Sequence, residues 1–350
     1  MSKSELILKD DYQNLKGKYI TIVGAGGTGS GIIELLARMS LPLVIIDADI
    51  VDESNLERQT LYTKSDVGKP KVVCAKNKLD MFSNIIPHQC YLTNKNLSSL
   101  HNPDLIIDCT DNMHTRFLLN DYCKKENIPL LYTAAIGRIG ALYLVNNNRY
   151  GQFTESHEIN IQTAKGDVPY GERQQSKNGG KLEARHNPKS QKTACLRCFM
   201  DEKSGDLCND AGVLNSTTSL ISSLAVSMVT DFLAKNKVHP LIRINLDTLN
   251  FEKLNIKQNP KCPTCNKQYD YLNGKALDCI PCISGKYRFF LNKNIDLISL
   301  HKALSKHHDL RLNSYSLSTG EITVYKDGRV VIHADSEQQA RKLLNENIGG

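Results

Sequence analysis

Short apolar runs alternate with stretches of helical period through the first 145 residues of the chain. Tyr19–Val23 reads as a buried strand. A glycine-rich turn follows, and Ile32-Ile33-Glu34-Leu35-Leu36-Ala37 carries the spacing of a helix packed on a sheet. Leu43–Ile46 predicts a second strand, and Pro70 opens a helix over Lys71–Met81. Further strands are expected near Gln89–Leu92 and at Leu105–Ile107, then a helix over Thr115–Lys125, then strands at Leu130–Ala134 and Gly140–Val145. Strands alternating with helices imply an α/β fold: a doubly wound, mainly parallel sheet with helices on both faces.

The pattern then changes. Apolar runs vanish over 146–194, and Gly, Lys, Gln, Ser and Asn dominate Gly171–Lys192. This is read as a long insertion or mobile loop, a surface segment that could serve as a lid or docking element. Helical periodicity returns at Ser219–Ala234, which is apolar, rich in small residues and expected to be buried. A polar linker near Gln258–Asn273 leads to a small C-terminal α/β region. Its expected elements are strand Tyr287–Leu291, helix Asp296–His307, strand Leu310–Leu317, hairpin Glu321–Ala334 turned at Asp327-Gly328, and helix Ser336–Asn345. The expected division is one large domain over 1–270 and a small one over 271–350, which 350 residues can support.

Composition adds bounds. Forty per cent hydrophobic and 23% charged residues are ordinary for a soluble globular protein. A net charge of +7 fits a phosphate-rich ligand, a nucleic acid or an acidic protein and selects none of them. Met1–Glu5 is polar, unlike a signal peptide, and no run approaches the roughly 20 apolar residues of a membrane span. A soluble cytoplasmic protein is expected. Six of the 11 cysteines form C-x-x-C pairs: Cys195/Cys198, Cys262/Cys265 and Cys279/Cys282. In a reducing compartment such pairs point to zinc or redox chemistry. Spacing alone leaves Cys262/Cys265 free to join either of the other two pairs. Cys74, Cys90, Cys109 and Cys123 have apolar neighbours and read as core.

The chemistry-bearing residues lie between Val23 and Asn112. Gly24-Ala25-Gly26-Gly27-Thr28-Gly29 follows a strand and opens a helix. Gly24, Gly26, Gly27 and Gly29 let backbone N–H groups and the helix dipole approach phosphate. Asp47 stands about 20 residues on, placed for ribose hydroxyls, with Asp49 beside it. Asn55-Leu56-Glu57-Arg58-Gln59 and Gly68-Lys69-Pro70-Lys71 come next. Hydride transfer leaves phosphates alone and needs no such cations, whereas attack at the α-phosphate requires Arg58 and Lys71 to offset developing charge. This sets a nicotinamide oxidoreductase aside. Asp108-Cys109-Thr110-Asp111-Asn112 ends a strand at the carboxyl edge, where Asp111 suits magnesium or else caps the following helix.

Taken in order, these motifs resemble the ThiF/MoeB family of ubiquitin-activating-like (HesA/MoeB/ThiF) adenylyltransferases. The resemblance resumes at Ala194–Cys198, at Leu207-Cys208-Asn209-Asp210-Ala211-Gly212-Val213 and at Asn259–Cys265. It implies a Rossmann-like fold and an enzyme binding ATP and Mg2+. The substrate it implies is a small ubiquitin-like sulfur-carrier protein of the ThiS/MoaD type, whose C-terminal Gly-Gly carboxylate would attack the α-phosphate to give an acyl-adenylate. By the resemblance, Asp47 holds the ribose, Asn55, Arg58 and Lys71 contact phosphates, Gln59 and Asn112 belong to the nucleotide site, and Asp111 binds Mg2+. It pairs Cys195/Cys198 with Cys262/Cys265 on one Zn2+, leaving Cys279/Cys282 as a spare pair. Cys208 matches the position that links to the carrier during sulfur transfer. A homodimer, and a cysteine desulfurase or other sulfur donor, are the implied partners; a membrane is not, and nucleic acid is disfavoured.

Thiamine, molybdopterin and tRNA thiolation pathways share this adenylation chemistry. The alternatives are a tRNA-modifying enzyme like the threonylcarbamoyladenosine dehydratases, or a non-catalytic scaffold. The chain also departs from the family pattern. No Arg precedes Arg38, where many relatives carry an Arg-rich stretch reaching the partner's ATP, so Lys3 or Lys9 would have to substitute. No rhodanese-like domain follows, and the closing Gly349-Gly350 is read as a helix stop.

Overall fold

The computed structural model describes residues 7–8, 10–147, 192–200, 212–274, 279–282, 285–291, 295–304, 310–326 and 328–348. Residues 148–191 of the insertion expected over 146–194, Cys208, Lys3, Lys9, the turn residue Asp327 and the terminal Gly349-Gly350 lie outside them.

Helix α1 (Asp10–Leu15) precedes strand β1 (Ile20–Val23), helix α2 (Gly27–Arg38) and strand β2 (Leu43–Ile46). Helix α3 (Lys71–Leu79), β3 (Ile85–His88), β4 (Leu105–Asp108), α4 (Met113–Glu126), β5 (Leu130–Ile136) and β6 (Ile139–Val145) follow. After helix α5 (Asn215–Lys235), strands β7 (Leu241–Asn245) and β8 (Asn250–Leu254) complete a sheet of eight, ordered β3-β2-β1-β4-β5-β6-β7-β8. The pairings from β3 to β5 are parallel and those from β5 to β8 antiparallel. β1 and β2 are buried at every residue, as a sheet covered on both faces requires. One core lies under α2, α3 and α5, and a second under α4.

The expected mainly parallel α/β sheet is what forms, with three local corrections. The third strand runs over Ile85–His88, not Gln89–Leu92. Pro87 weakens that segment as strand, but β3 is an edge and tolerates a missing donor. Its register is set by pairing with Leu43–Ile46, which frees Tyr91 to point elsewhere. Residues 258–273 are not a linker: they form a knuckle containing a short 3-10 turn at Thr264–Asn266, with Cys262 and Tyr271 buried. Strands β7 and β8 have no strong sequence signal, since Asn250–Leu254 is exposed throughout.

Helix α5 is the one described helix long and apolar enough to cross a bilayer, yet most of its apolar window is buried inside the protein. It packs along α2, where the Ser222 hydroxyl donates to the Thr28 carbonyl at 2.8 Å.

A second sheet has its own core. It comprises β9 (Cys279–Cys282), β10 (Lys286–Phe290), β11 (Arg311–Leu312), β12 (Ser316–Ser318), β13 (Ile322–Tyr325) and β14 (Arg329–His333), in the order β11-β12-β13-β14-β10-β9. Helices α6 (Leu297–Leu304) and α7 (Glu337–Ile348) cover it. The hairpin expected at Glu321–Ala334 is the β13–β14 pair, with Gly328 at φ +86°. The single strand expected over Leu310–Leu317 is broken into β11 and β12, which pair with each other, because the Asn313 side chain accepts from the backbone N–H groups of Tyr315 and Ser316 and turns the chain.

Candidate nucleotide site and cysteine cluster

The carboxyl ends of β1, β2 and β4 lie side by side, and the predicted nucleotide residues from Gly24 to Asn112 lie on or just beyond the loops that follow them. The turn after β1 needs glycine for packing as well as for ligand approach. Gly24 sits at φ +96°, and a Cβ there would lie 2.6 Å from the Cys109 carbonyl oxygen. A Cβ on Gly29 would meet the Gly24 carbonyl. Gly26 ends the turn as N-cap of α2, and no side chain caps that helix, so its first N–H groups are left for an anion. Gly24→Ala combines left-handed strain with a backbone clash, about 1–3 kcal/mol or more. We expect a lowered melting temperature together with weakened ATP binding; a melt matching wild type would show that the turn adapts.

Asp47 braces this turn from β2. One carboxylate oxygen accepts from the Ala25 N–H at 2.6 Å and the other from the Asp49 N–H at 2.7 Å. Burial raises its pKa, with Lys71 opposing and Asp49 adding to the rise. Tyr62 supports the same turn by donating to the Ala25 carbonyl at 2.9 Å. Asn55 ends a short 3-10 turn (Glu53–Asn55), and Arg58 and Gln59 follow it and come against the glycines. A Cβ on Gly26 would be 3.9 Å from the Gln59 amide nitrogen, and one on Gly27 3.8 Å from the Arg58 carbonyl. Arg58 donates to Asn55 Oδ1 at 2.6 Å and to the Ser54 carbonyl at 3.1 Å, so its guanidinium is held in place. Gln59 is buried and its Oε1 has no hydrogen-bond partner among the described residues.

Lys71 begins α3, and its N–H donates to the Asp49 carbonyl at 3.0 Å. Its side chain is 6% exposed, and Nζ lies 3.3 Å from Asp49 Oδ2. Burial alone would lower its pKa, but Asp49, Asp47 and Asp111 raise it above the ordinary lysine value, so it stays charged. Asp111 is exposed on the loop after β4, whose Cys109 and Thr110 approach Gly24. The cap of α4 is Asn112, whose Oδ1 accepts from the Thr115 N–H at 2.9 Å, so Asp111 is not spent as the cap.

Residues that sequence reasoning missed complete the wall. Buried Asp108 accepts from the Thr110 N–H and hydroxyl and lies 3.7 Å from Arg116 Nε. Arg116 also donates to the Thr110 carbonyl at 2.6 Å, fixing the loop that carries Asp111. Its place one turn into α4, where side chains lean back toward the helix start, was the available signal. Tyr91 donates to Asn112 Oδ1 at 3.1 Å.

The cysteine question has a geometric answer. Sγ atoms of Cys195, Cys198, Cys262 and Cys265 all lie within 4.8 Å of one another. The close separations run from 3.4 Å for Cys195–Cys262 through 3.6 Å for Cys198–Cys265 to 3.9 Å for Cys195–Cys198. Zn–S bonds of ~2.3 Å in a tetrahedron put sulfurs about 3.8 Å apart, so the set fits zinc and closes its coordination sphere. Among the other cysteines, Cys74 and Cys123 are buried as expected, while Cys90 and Cys109 are only partly so.

The sequence model of the ThiF family matches residues 2–264. The chain belongs to the ThiF family. Among curated proteins, this ThiF-family chain is 25% identical to the sulfur carrier protein ThiS adenylyltransferase of Bacillus subtilis, over 96% of this chain and 94% of that protein, so the likeness runs on through the second sheet. It is 27% identical to the molybdopterin-synthase adenylyltransferase of Escherichia coli, over 74% of this chain and 91% of that one. Among solved structures, E. coli MccB with ATP superposes with a TM-score of 0.55 at 18% identity, covering 73% of this chain and 69% of that one, a likeness of fold.

Proposed function

We propose that this chain adenylates the C-terminal Gly-Gly carboxylate of a small ubiquitin-like sulfur-carrier protein of the ThiS/MoaD type, using ATP and releasing pyrophosphate. The observation that carries the reading is the buried, charged Lys71 set with Arg58 beside an uncapped helix N-terminus. Cations and N–H dipoles gathered there stabilise charge on an α-phosphate under attack. The attacking carboxylate is already ionised, so no general base is needed, and the site's task is positioning and electrostatics. The proposed contacts are Asp47 to the ribose, Gly24–Gly29 N–H groups, Asn55 and Gln59 to the nucleotide, and Arg58 and Lys71 to the phosphates.

Asp111 has the free-standing carboxylate that magnesium requires, with Asn112 capping the helix beside it. When bound, the metal would offset phosphate charge. The four-cysteine cluster would hold zinc as a structural staple. Cys208 retains its proposed covalent role toward the carrier. A homodimer supplied by a cysteine desulfurase or other sulfur donor completes the proposal, and thiamine, molybdopterin and tRNA thiolation are the pathways that use such chemistry.

The test is ATP–pyrophosphate exchange with candidate Gly-Gly carriers. Wild type should exchange only when a carrier is present, and Asp111→Ala should lose at least 100-fold, the scale of removing one transition-state charge stabiliser. Absence of exchange in wild type that still binds Mg-ATP would overturn the reading and turn attention to a tRNA substrate.

A further inference from the structure

The second sheet carries two arginines to the nucleotide site of its own chain. Strand β14 begins at Arg329, directly after the hairpin turn, and Arg329 pairs in register with Phe290 of β10. Side chains alternate along these strands. Phe289, Val330, Ile332 and Val324 face the module's own core. Arg288, Phe290, Arg329 and Tyr325 therefore share the opposite face, which is turned toward the main sheet. There the Phe290 ring lies 4.7 Å from that of Tyr91, and the Arg288 guanidinium lies 5.4 Å from the Tyr91 ring. Arg329 is 3% exposed. Its Nη1 lies 3.1 Å from Asp49 Oδ1, its Nη2 donates to the Ala48 carbonyl at 2.9 Å, and its guanidinium stacks 4.2 Å from the Tyr325 ring.

Asp49 is thus shared between Arg329 on one oxygen and Lys71 on the other. The consequence follows from counting charges. The main sheet alone sets four carboxylates, Asp47, Asp49, Asp108 and Asp111, against three cations, Arg58, Lys71 and Arg116. A triphosphate entering that set meets a negative balance, and a fully available Asp49 competes for Lys71. Arg329 and Arg288 reverse the sign of the balance.

We propose that the C-terminal module is a built-in part of the nucleotide site, with Arg329 a positioning residue that engages one oxygen of Asp49 and thereby weakens its hold on the Lys71 ammonium, which the phosphates of ATP can then draw away. This deepens the adenylation reading and rests on it only for the identity of the nucleotide.

The experiment is a direct titration of the full-length chain with Mg-ATP by calorimetry, alongside pyrophosphate exchange and a thermal melt. Arg329→Met should weaken Mg-ATP binding about tenfold at low salt, and the loss should shrink in 0.5 M salt, where an electrostatic effect is screened. Arg329→Lys, which keeps the charge, should recover most of the affinity. In an Asp49→Asn background the same Arg329→Met change should cost less than twofold, because the carboxylate that Arg329 and Lys71 share is gone. Equal losses in the two backgrounds, or a loss that Arg329→Lys does not relieve, would overturn the proposal in favour of a purely structural tether. Wild-type affinity in Arg329→Met would also overturn it. Failure of the adenylation reading looks different: wild type binds Mg-ATP without carrier-dependent exchange.

Discussion

Replacing Lys71 by methionine is expected to lower ATP–pyrophosphate exchange by about 10²–10³, the cost of removing one preorganised charge from a transition state. The methionine keeps the apolar stem packed in α3 and deletes only the ammonium. What remains is Asp47 and Asp49 side by side in a half-buried site, one of them still partnered by Arg329. Asp49 is informative here. Burial pushes its carboxyl up, yet Lys71, Arg329 and Arg288 together hold it well below the usual carboxylate range. Part of that restraint disappears with the ammonium, so the variant gains net negative charge where the triphosphate must sit. Stopped exchange with a near-normal melt is the expected pattern. Exchange above a tenth of wild type in Lys71→Met would show that the phosphate charge is met elsewhere in the site.

The second large effect concerns stability. Cys262→Ser, or zinc removal by a chelator, is expected to lower the melting temperature by about 10 °C. This corresponds to about 4 kcal/mol at 2–4 °C per kcal/mol for a domain of this size. Metal binding that organises a segment is itself folding free energy. Besides the cysteines, the knuckle over 258–273 is held by buried Tyr271 and a few polar contacts: Thr264 donates to Asp121 at 2.5 Å, the Tyr271 N–H donates to the other oxygen at 3.1 Å, and Arg197 bridges to Asp270 at 3.1 Å. Asp121 is fully buried, and burial raises its pKa against the opposing pull of Thr264, Tyr271 and Arg197. Loosening the knuckle would strand that carboxyl and expose Tyr271, which packs on Phe117 at 5.4 Å. A four-sulfur site offers no open position for chemistry. Exchange per folded molecule should therefore stay within about twofold, and metal analysis should show the loss of one zinc per chain. An unchanged melt with zinc absent would mean that the cysteines hold the knuckle without metal.

Much of the architecture was legible in the pattern of apolar residues. Tyr19–Val23, Leu43–Ile46 and Leu105–Ile107 are so uniformly apolar that only strands covered on both faces suit them, and the helices between them follow. The Asp-Gly pair marked the hairpin that β13 and β14 form, because tight hairpin turns favour that chemistry. The errors fall where tertiary pairing outweighs local preference. Ile85–His88 is a strand because β2 offers it a register and the edge forgives Pro87. Asn250–Leu254 is one because β7 offers hydrogen bonds to an otherwise exposed segment. Residues 258–273 looked like a linker because four sulfurs, not apolar residues, organise them.

For the site, the sequence by itself determined the chemistry available: glycines in a strand-to-helix turn, an acid after the next strand, Arg58 and Lys71 behind it, and cysteines in pairs. Each is a short-range pattern whose meaning is carried by a few neighbouring residues. Spacing allowed two answers for which cysteine pairs meet; the family resemblance picked one, and the tertiary structure showed it, since the 66 residues between Cys195 and Cys262 carry no local record of their 3.4 Å approach. The tertiary structure alone decided that Asn112 caps α4 while Asp111 stands clear, because one side chain occupies the cap and neighbouring Asp and Asn residues are equally suited to it. It alone brought Arg329 to Asp49, 280 residues away in the chain. A charge pair of that separation arises from how two sheets pack, and packing is a property of whole faces that no local pattern encodes.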